Sequence, residues 1–190
     1  MNPAHTPADY RTRRQNLAQM IDGGCLVLHG SDLATRSHDT EFPFRQNSHL
    51  SYLTDHPEPK TVLVITTRPE PKSVIFVPPK DPKMELWTGK RLGTEQSKEV
   101  SQVDECYELS EFQEKLTELV KGHSSLYLDM THETNVLDMH KVLKSLSNRR
   151  KAKDYFPQAL HDITPYVGKM RLVKDANEIG LMKRAADISC

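Results

Sequence analysis

Nine histidines come first, because imidazole ligates metals and moves protons near neutral pH. His132-Glu133-Thr134-Asn135-Val136 opens like a zincin helix, in which a second imidazole one turn on completes the zinc site. Position 136 is valine, so that ligand is missing. His140 follows His132 by roughly two helical turns, too far for both to share one ion. His38-Asp39 and His56-Pro57-Glu58 read as solvated or capping residues in loops, since neither stands at ligand spacing. Nucleophilic catalysis has little support. There is no GxSxG, and Cys25 stands in an apolar run that raises a thiol pKa instead of activating it. Cys25, Cys106 and Cys190 form no CxxC pair and read as free thiols of a reducing compartment. The phosphate-cradling patterns GxGxxG and GxxxxGK[ST] are both missing. Arg149, Arg150, Lys151 and Lys153 could attract an anion or a carboxylate. They also suit a solvated basic turn at a helix C-terminus. Trp87, the only tryptophan, precedes a glycine-bounded stretch carrying Lys90 and Arg91. It either anchors that stretch onto its own domain or is offered to a partner or ligand. No complete active site emerges.

These residues need elements to position them. Ala8 to Ile21 reads as an amphipathic helix with Tyr10, Leu17, Met20 and Ile21 on one side and arginines between, stopped at Asp22-Gly23-Gly24. Cys25 to His29 is a short apolar strand. Gly30 to Asn47 is a long polar loop of the kind more often functional than a plain connector. Leu50 to Leu53 reads as a strand, ended by Asp55-His56-Pro57-Glu58-Pro59. Thr61 to Thr66 and Ser73 to Val77 are nearly continuous β-branched runs, so they read as central strands covered on both faces and joined as a hairpin. Asp81 caps a helical turn with Pro82 at its first position, and Thr88 to Gly93 is an exposed loop. Glu105 to Leu109 and Ser125 to Asp129 are further strands. Ser110 to Val120, capped by Ser110, and Thr131 to Leu146, with Val136, Leu137, Val142, Leu143 and Leu146 as contacts, are helices; Ile163 to Met170 is a short helix or turn.

Asp175 and Glu178 stand at capping-box spacing, and an apolar-striped helix then runs into Cys190 with no terminator. The chain is therefore expected to be part of a longer one, against the alternative of a C-terminal helix that simply frays.

With 190 residues, the chain suits one domain, 1–173, and an appendage, 174–190. Lys and Arg number 26, as do Asp and Glu, so the charge gives no reason to expect nucleic acid or an anionic membrane. No apolar run approaches the roughly 20 residues of a membrane span, and the N-terminus lacks a signal-like apolar region. With the cysteine pattern, this places the expected location in the cytoplasm. The fold class expected is α/β, a mixed sheet of about five or six strands flanked by helices on both faces.

Three segments in order are similar to one family. Ala34-Thr35-Arg36-Ser37-His38-Asp39-Thr40-Glu41-Phe42-Pro43-Phe44-Arg45-Gln46-Asn47-Ser48-His49-Leu50-Ser51-Tyr52-Leu53-Thr54, continued by Pro57-Glu58-Pro59, resembles the amino-terminal domain of Xaa-Pro aminopeptidase, most closely its bacterial form. Glu85-Leu86-Trp87-Thr88-Gly89-Lys90-Arg91-Leu92-Gly93 is the second segment. Lys169-Met170-Arg171-Leu172-Val173-Lys174, with Glu178-Ile179 and Met182, is the third. The resemblance implies the creatinase-type amino-terminal fold and a parent enzyme that removes the residue preceding proline. It also implies two divalent metals, manganese in that family, in a later "pita-bread" domain. Their ligand motifs are not in this sequence, so no cofactor, metal ligand or catalytic residue is carried over. The partners implied are that catalytic domain, further copies of the chain and proline-containing peptides. Trp87 and Arg91 map onto a loop near a catalytic entrance, and Arg149 or Arg150 onto a basic residue that approaches the substrate. One departure is clear. Where the family usually has Gly-Phe before Pro-Glu-Pro, this chain has Asp55-His56, so a titratable group replaces an aromatic one in a turn that glycine suits better. The rivals to this reading are a stand-alone binding or assembly module and the same scaffold on a prolidase-like enzyme.

Overall fold

The structure, a computed structural model, describes residues 7–131, 133–147 and 157–189. Its strands are β1 (Gly24–His29), β2 (Thr35–Ser37), β3 (Thr40–Glu41), β4 (Val62–Thr66), β5 (Lys72–Val77), β6 (Glu105–Glu108), β7 (Ser125–Leu128) and β8 (Ala159–Asp162). Its helices are α1 (Pro7–Met20), α2 (Ser48–Thr54), α3 (Pro82–Thr88), α4 (Gly93–Ser101), α5 (Phe112–Leu119), α6 (Glu133–Ser147), α7 (Thr164–Leu172) and α8 (Ala176–Ser189). Six strands form one mixed sheet in the order β6-β5-β4-β1-β7-β8. β1–β4 and β4–β5 pair antiparallel; β5–β6, β1–β7 and β7–β8 pair parallel. β2 and β3 make a separate ribbon within the long polar loop.

The continuous apolar runs have the burial expected of strands sandwiched between layers. On one face, Leu26, Leu28, Leu63, Ile65, Ile75 and Val77 pack against α1, α2 and α7 through Leu17, Ile21, Leu50, Leu53 and Val167. On the other, Val27, Val62, Val64, Val74 and Phe76 pack against α5 and α6 through Phe112, Leu116, Met139 and Val142. Full burial of each such side chain contributes about 1.5–3 kcal/mol, which sets the strand register, because a one-residue slip would exchange the two faces. Among the described residues, no helix is long and apolar enough to cross a membrane.

Several local expectations change. Leu50 to Leu53 is helical, not a strand. Leu50, Leu53 and Thr54 are buried at helical spacing, and Asn47 Oδ1 caps α2 by accepting from His49 N (2.8 Å) and Leu50 N (3.2 Å). Ser110 is not a helix cap: it lies in a 3-10 turn, Leu109–Glu111, that leads into α5. Met20, Val136 and Leu137 face solvent, and in α6 the buried contacts are Met139 and Val142. Both α4 and β8 lie where no element was expected. α4 has no apolar stripe and packs through the small residues Gly93, Ser97 and Ser101. β8 is an edge strand with only Leu160 as a large apolar residue, itself exposed.

Candidate functional site

The segment around Trp87 is built by two caps. Asp81 Oδ1 accepts from Lys83 N at 2.9 Å, starting α3. At the other end Gly89, at φ 84, takes the left-handed turn, and its N–H donates to Glu85 O at 3.1 Å. Trp87 is then 87% exposed and its neighbour Leu86 84%. Of the two readings of Trp87, anchoring onto its own domain therefore fails. Arg91 is half-buried and tied back, its N–H donating to Glu85 Oε1 at 3.3 Å. Next, Leu92 N–H donates to Glu58 Oε1 at 2.6 Å. The stretch read as an exposed loop is thus a tethered lead into α4. Arg149 and Arg150 lie outside the described residues.

Glu58 belongs to a polar node beneath that segment. Gln46 Oε1 accepts from Ser31 N and Asn47 N, both at 2.9 Å, and Gln46 Nε2 donates to His56 O (3.1 Å) and Glu58 O (2.9 Å). One amide thereby joins both ends of the long loop to the Pro57-Glu58-Pro59 turn. Asp55 closes α2 in the left-handed conformation, φ 51 and ψ 25, a conformation that costs a non-glycine residue on the order of 1 kcal/mol. His56 is 1% exposed. Its Nδ1 accepts from Glu58 N at 3.3 Å and lies 3.1 Å from Thr61 Oγ1; its Nε2 lies 3.0 Å from Ser97 Oγ of α4. The accepting Nδ1 leaves Nε2 to donate to Ser97. Burial pushes the imidazole down to about 4, outweighing the opposing upward effect of the hydrogen bond with the Glu58 backbone. The loop histidine expected to be solvated is therefore a buried neutral strut, while His38 is exposed.

A second node fixes the C-terminal helices. Arg13 donates to Tyr52 O (3.2 Å), pairs with Asp175 Oδ2 (3.1 Å) and Glu178 Oε1 (3.3 Å), and stacks over the Tyr52 ring at 4.2 Å. The expected capping box forms: Glu178 N donates to Asp175 Oδ1 at 2.8 Å and Asp175 N to Glu178 Oε2 at 3.0 Å. Arg14 donates to Leu53 O and Gln102 O from a buried position, and burial lowers its pKa to about 10. Neither arginine was read as buried, although Tyr10, Arg13, Arg14 and Leu17 follow helical spacing on one face of α1. Beyond these anchors, Leu172, Val173, Ile179, Met182 and Ile188 leave an apolar face exposed along α7 and α8.

His132 lies outside the described residues. Asn135 of the zincin-like stretch is buried, its Nδ2 donating to Asp129 O at 2.9 Å and its Oδ1 accepting from His29 N at 3.2 Å. His140 is exposed. Burial drives both Cys25 and Cys106 up to about 12, far from a reactive thiolate. Cys190 lies outside the described residues. Among the described residues, no group of three or more His, Cys, Asp or Glu could hold a metal ion.

The family model described as "Aminopeptidase P, N-terminal domain" matches residues 10–127. The Xaa-Pro aminopeptidase of Haemophilus influenzae is 33% identical over 183 residues, which is 95% of this chain and 40% of that protein. The Escherichia coli Xaa-Pro aminopeptidase is 32% identical over 186 residues, 95% of this chain and 42% of that protein. The solved low-pH form of aminopeptidase P from E. coli superposes with a TM-score of 0.91 at 30% identity, covering 97% of this chain and 43% of that one. The chain thus spans about two fifths of the length of these relatives.

Proposed function

Because the chain belongs to the aminopeptidase P N-terminal domain family, we propose that it is the non-catalytic platform of an Xaa-Pro aminopeptidase, a hydrolase that releases the residue preceding proline. The observation that carries this reading is the extent of the match. Nearly the whole chain aligns with E. coli aminopeptidase P, yet it accounts for less than half of that protein. The two divalent metals, manganese in this proposal, are held by a metallopeptidase domain outside these residues.

Two features of the surface suit the platform role. The apolar face of α7 and α8 is the natural seat for the catalytic domain, because a patch of that kind left in water promotes association. The Leu86–Trp87 tip offers an aromatic side chain with little contact to its own domain, as a residue would that closes over a peptide at a neighbouring copy's entrance. Arg91 supports that tip, and in this proposal Arg149 or Arg150 serves the substrate as a basic residue. In this proposal the protein is cytoplasmic and works as a homo-oligomer.

The test is a longer chain in which these residues are followed by the metallopeptidase domain. With Mn²⁺ it should release the first residue of an Xaa-Pro peptide and leave a peptide lacking proline at the second position intact. Release without regard to proline would sink the assignment.

A further inference from the structure

Trp87 is held by almost nothing of its own, so its direction depends on what fixes the backbone behind it. Two side chains do so. Glu85 binds Arg91 N–H from within α3, and Glu58 binds Leu92 N–H from a turn 34 residues earlier in the chain. The second contact stands at a particular place. Leu92 is the cap position of α4 and supplies no side-chain cap. The Glu58 carboxylate instead accepts from the backbone N–H of that cap residue, as the reach-back carboxylate of a capping box does, and sets negative charge near the positive end of the helix. At 2.6 Å the contact is a short hydrogen bond.

Glu58 is itself rigidly held. Pro57 and Pro59 flank it and restrict its backbone. Its N–H donates to His56 Nδ1, and its carbonyl accepts from Gln46 Nε2 and Thr61 Oγ1. Its Oε2 is buried with no hydrogen-bond partner among the described residues. Stability alone would not select that arrangement, since a serine or aspartate at position 92 could cap α4 locally without burying a carboxylate oxygen.

We infer that Glu58 is a positioning residue: by capping α4 from the Pro-Glu-Pro turn, it fixes the α3–α4 connection and the direction in which Trp87 is offered to a peptide substrate. Its effect on catalysis rests on the proposed function; its effect on Trp87 does not.

The experiment separates the two. Trp87 is the only tryptophan of the chain, so time-resolved fluorescence anisotropy reads its local motion directly. Glu58→Ala should at least double the amplitude of the fast local component, as loss of a cap frees the first turn of a helix. Glu58→Gln, which keeps an oxygen acceptor but not the charge, should fall between the two, and it carries the test should the alanine variant not fold. Val142→Ala, destabilising the opposite face of the sheet, should leave the anisotropy unchanged. In the longer enzyme, Glu58→Ala and Trp87→Ala should both raise KM about threefold or more with little change in kcat. Unchanged anisotropy in folded Glu58 variants overturns the inference, as does a KM that rises in Trp87→Ala but not in Glu58→Ala. If anisotropy changes while neither variant alters KM, Glu58 positions the loop as inferred and the role proposed for Trp87 is wrong.

Discussion

Gln46→Glu should destabilise the fold by about 3–5 kcal/mol at pH 8, measured by urea denaturation at constant temperature. The native amide uses all of its hydrogen-bonding capacity, accepting from two backbone N–H groups and donating to two carbonyls. The substitution keeps the shape and both accepted bonds. It removes both donors and sets a carboxylate against the His56 and Glu58 carbonyl oxygens. Each carbonyl left facing an acceptor costs about 1–3 kcal/mol, and charge repulsion adds to that. The pH dependence gives a signature. The introduced carboxyl should have a folded-state pKa raised above its unfolded value, because burial and two carbonyls both oppose ionisation. The protonated form can donate one O–H, so the deficit should shrink as pH falls through that raised value. A loss below about 1 kcal/mol would mean that the amide does not hold the loop to the turn.

The second large effect is acid lability centred on His56. The folded pKa of about 4 lies below the ordinary value of 6.5, so the fold favours the neutral ring. The stability this contributes is complete above pH 6.5 and is lost as pH falls from 6.5 towards 4. At about 1.4 kcal/mol per pKa unit, the loss approaches roughly 3 kcal/mol. His49 and His123 are shifted down by burial as well and add to the same trend. His56→Phe isolates the share of position 56. It forfeits the contact with Ser97 and so lowers stability at pH 7.5, but its thermal-melting midpoint should fall less between pH 7.5 and 4.5 than that of the native chain. An equal fall in both proteins would show that His56 does not supply the acid sensitivity.

Legibility followed the physics of each segment. The runs Val62–Thr66 and Lys72–Val77 were readable because strands buried on both faces need continuous apolar, β-branched sequence. The capping box at Asp175 and Glu178 was readable because a reciprocal pair leaves a fixed spacing. α4 was not, because a helix packed through Gly93, Ser97 and Ser101 has no apolar period. Leu50 to Leu53 was misread because so short a run satisfies both periods, and the signal that decides it is the Asn47 cap. The site divides in the same way. Trp87 was marked by its rarity, but its exposure was open until the caps of α3 were seen. Gln46 and Glu58 lie within the motifs that carry the family resemblance, yet nothing in their spacing shows that they meet: 12 residues separate Gln46 from the carbonyl of Glu58, and 34 separate Glu58 from Leu92. Much of what makes these motifs recognisable is polar stapling of loops, not reactive chemistry. Arg45-Gln46-Asn47, for example, contributes one cross-linking amide and one helix cap.

The most direct measurement is an assay of the purified 190-residue chain with Mn²⁺ and an Xaa-Pro peptide, beside the longer enzyme at equal concentration. The platform account predicts release of the first residue by the longer enzyme and, for the 190-residue chain, none above the rate with Mn²⁺ alone. Turnover by the short chain that survives repurification and co-elutes with it would place a catalytic centre within these residues and contradict the account.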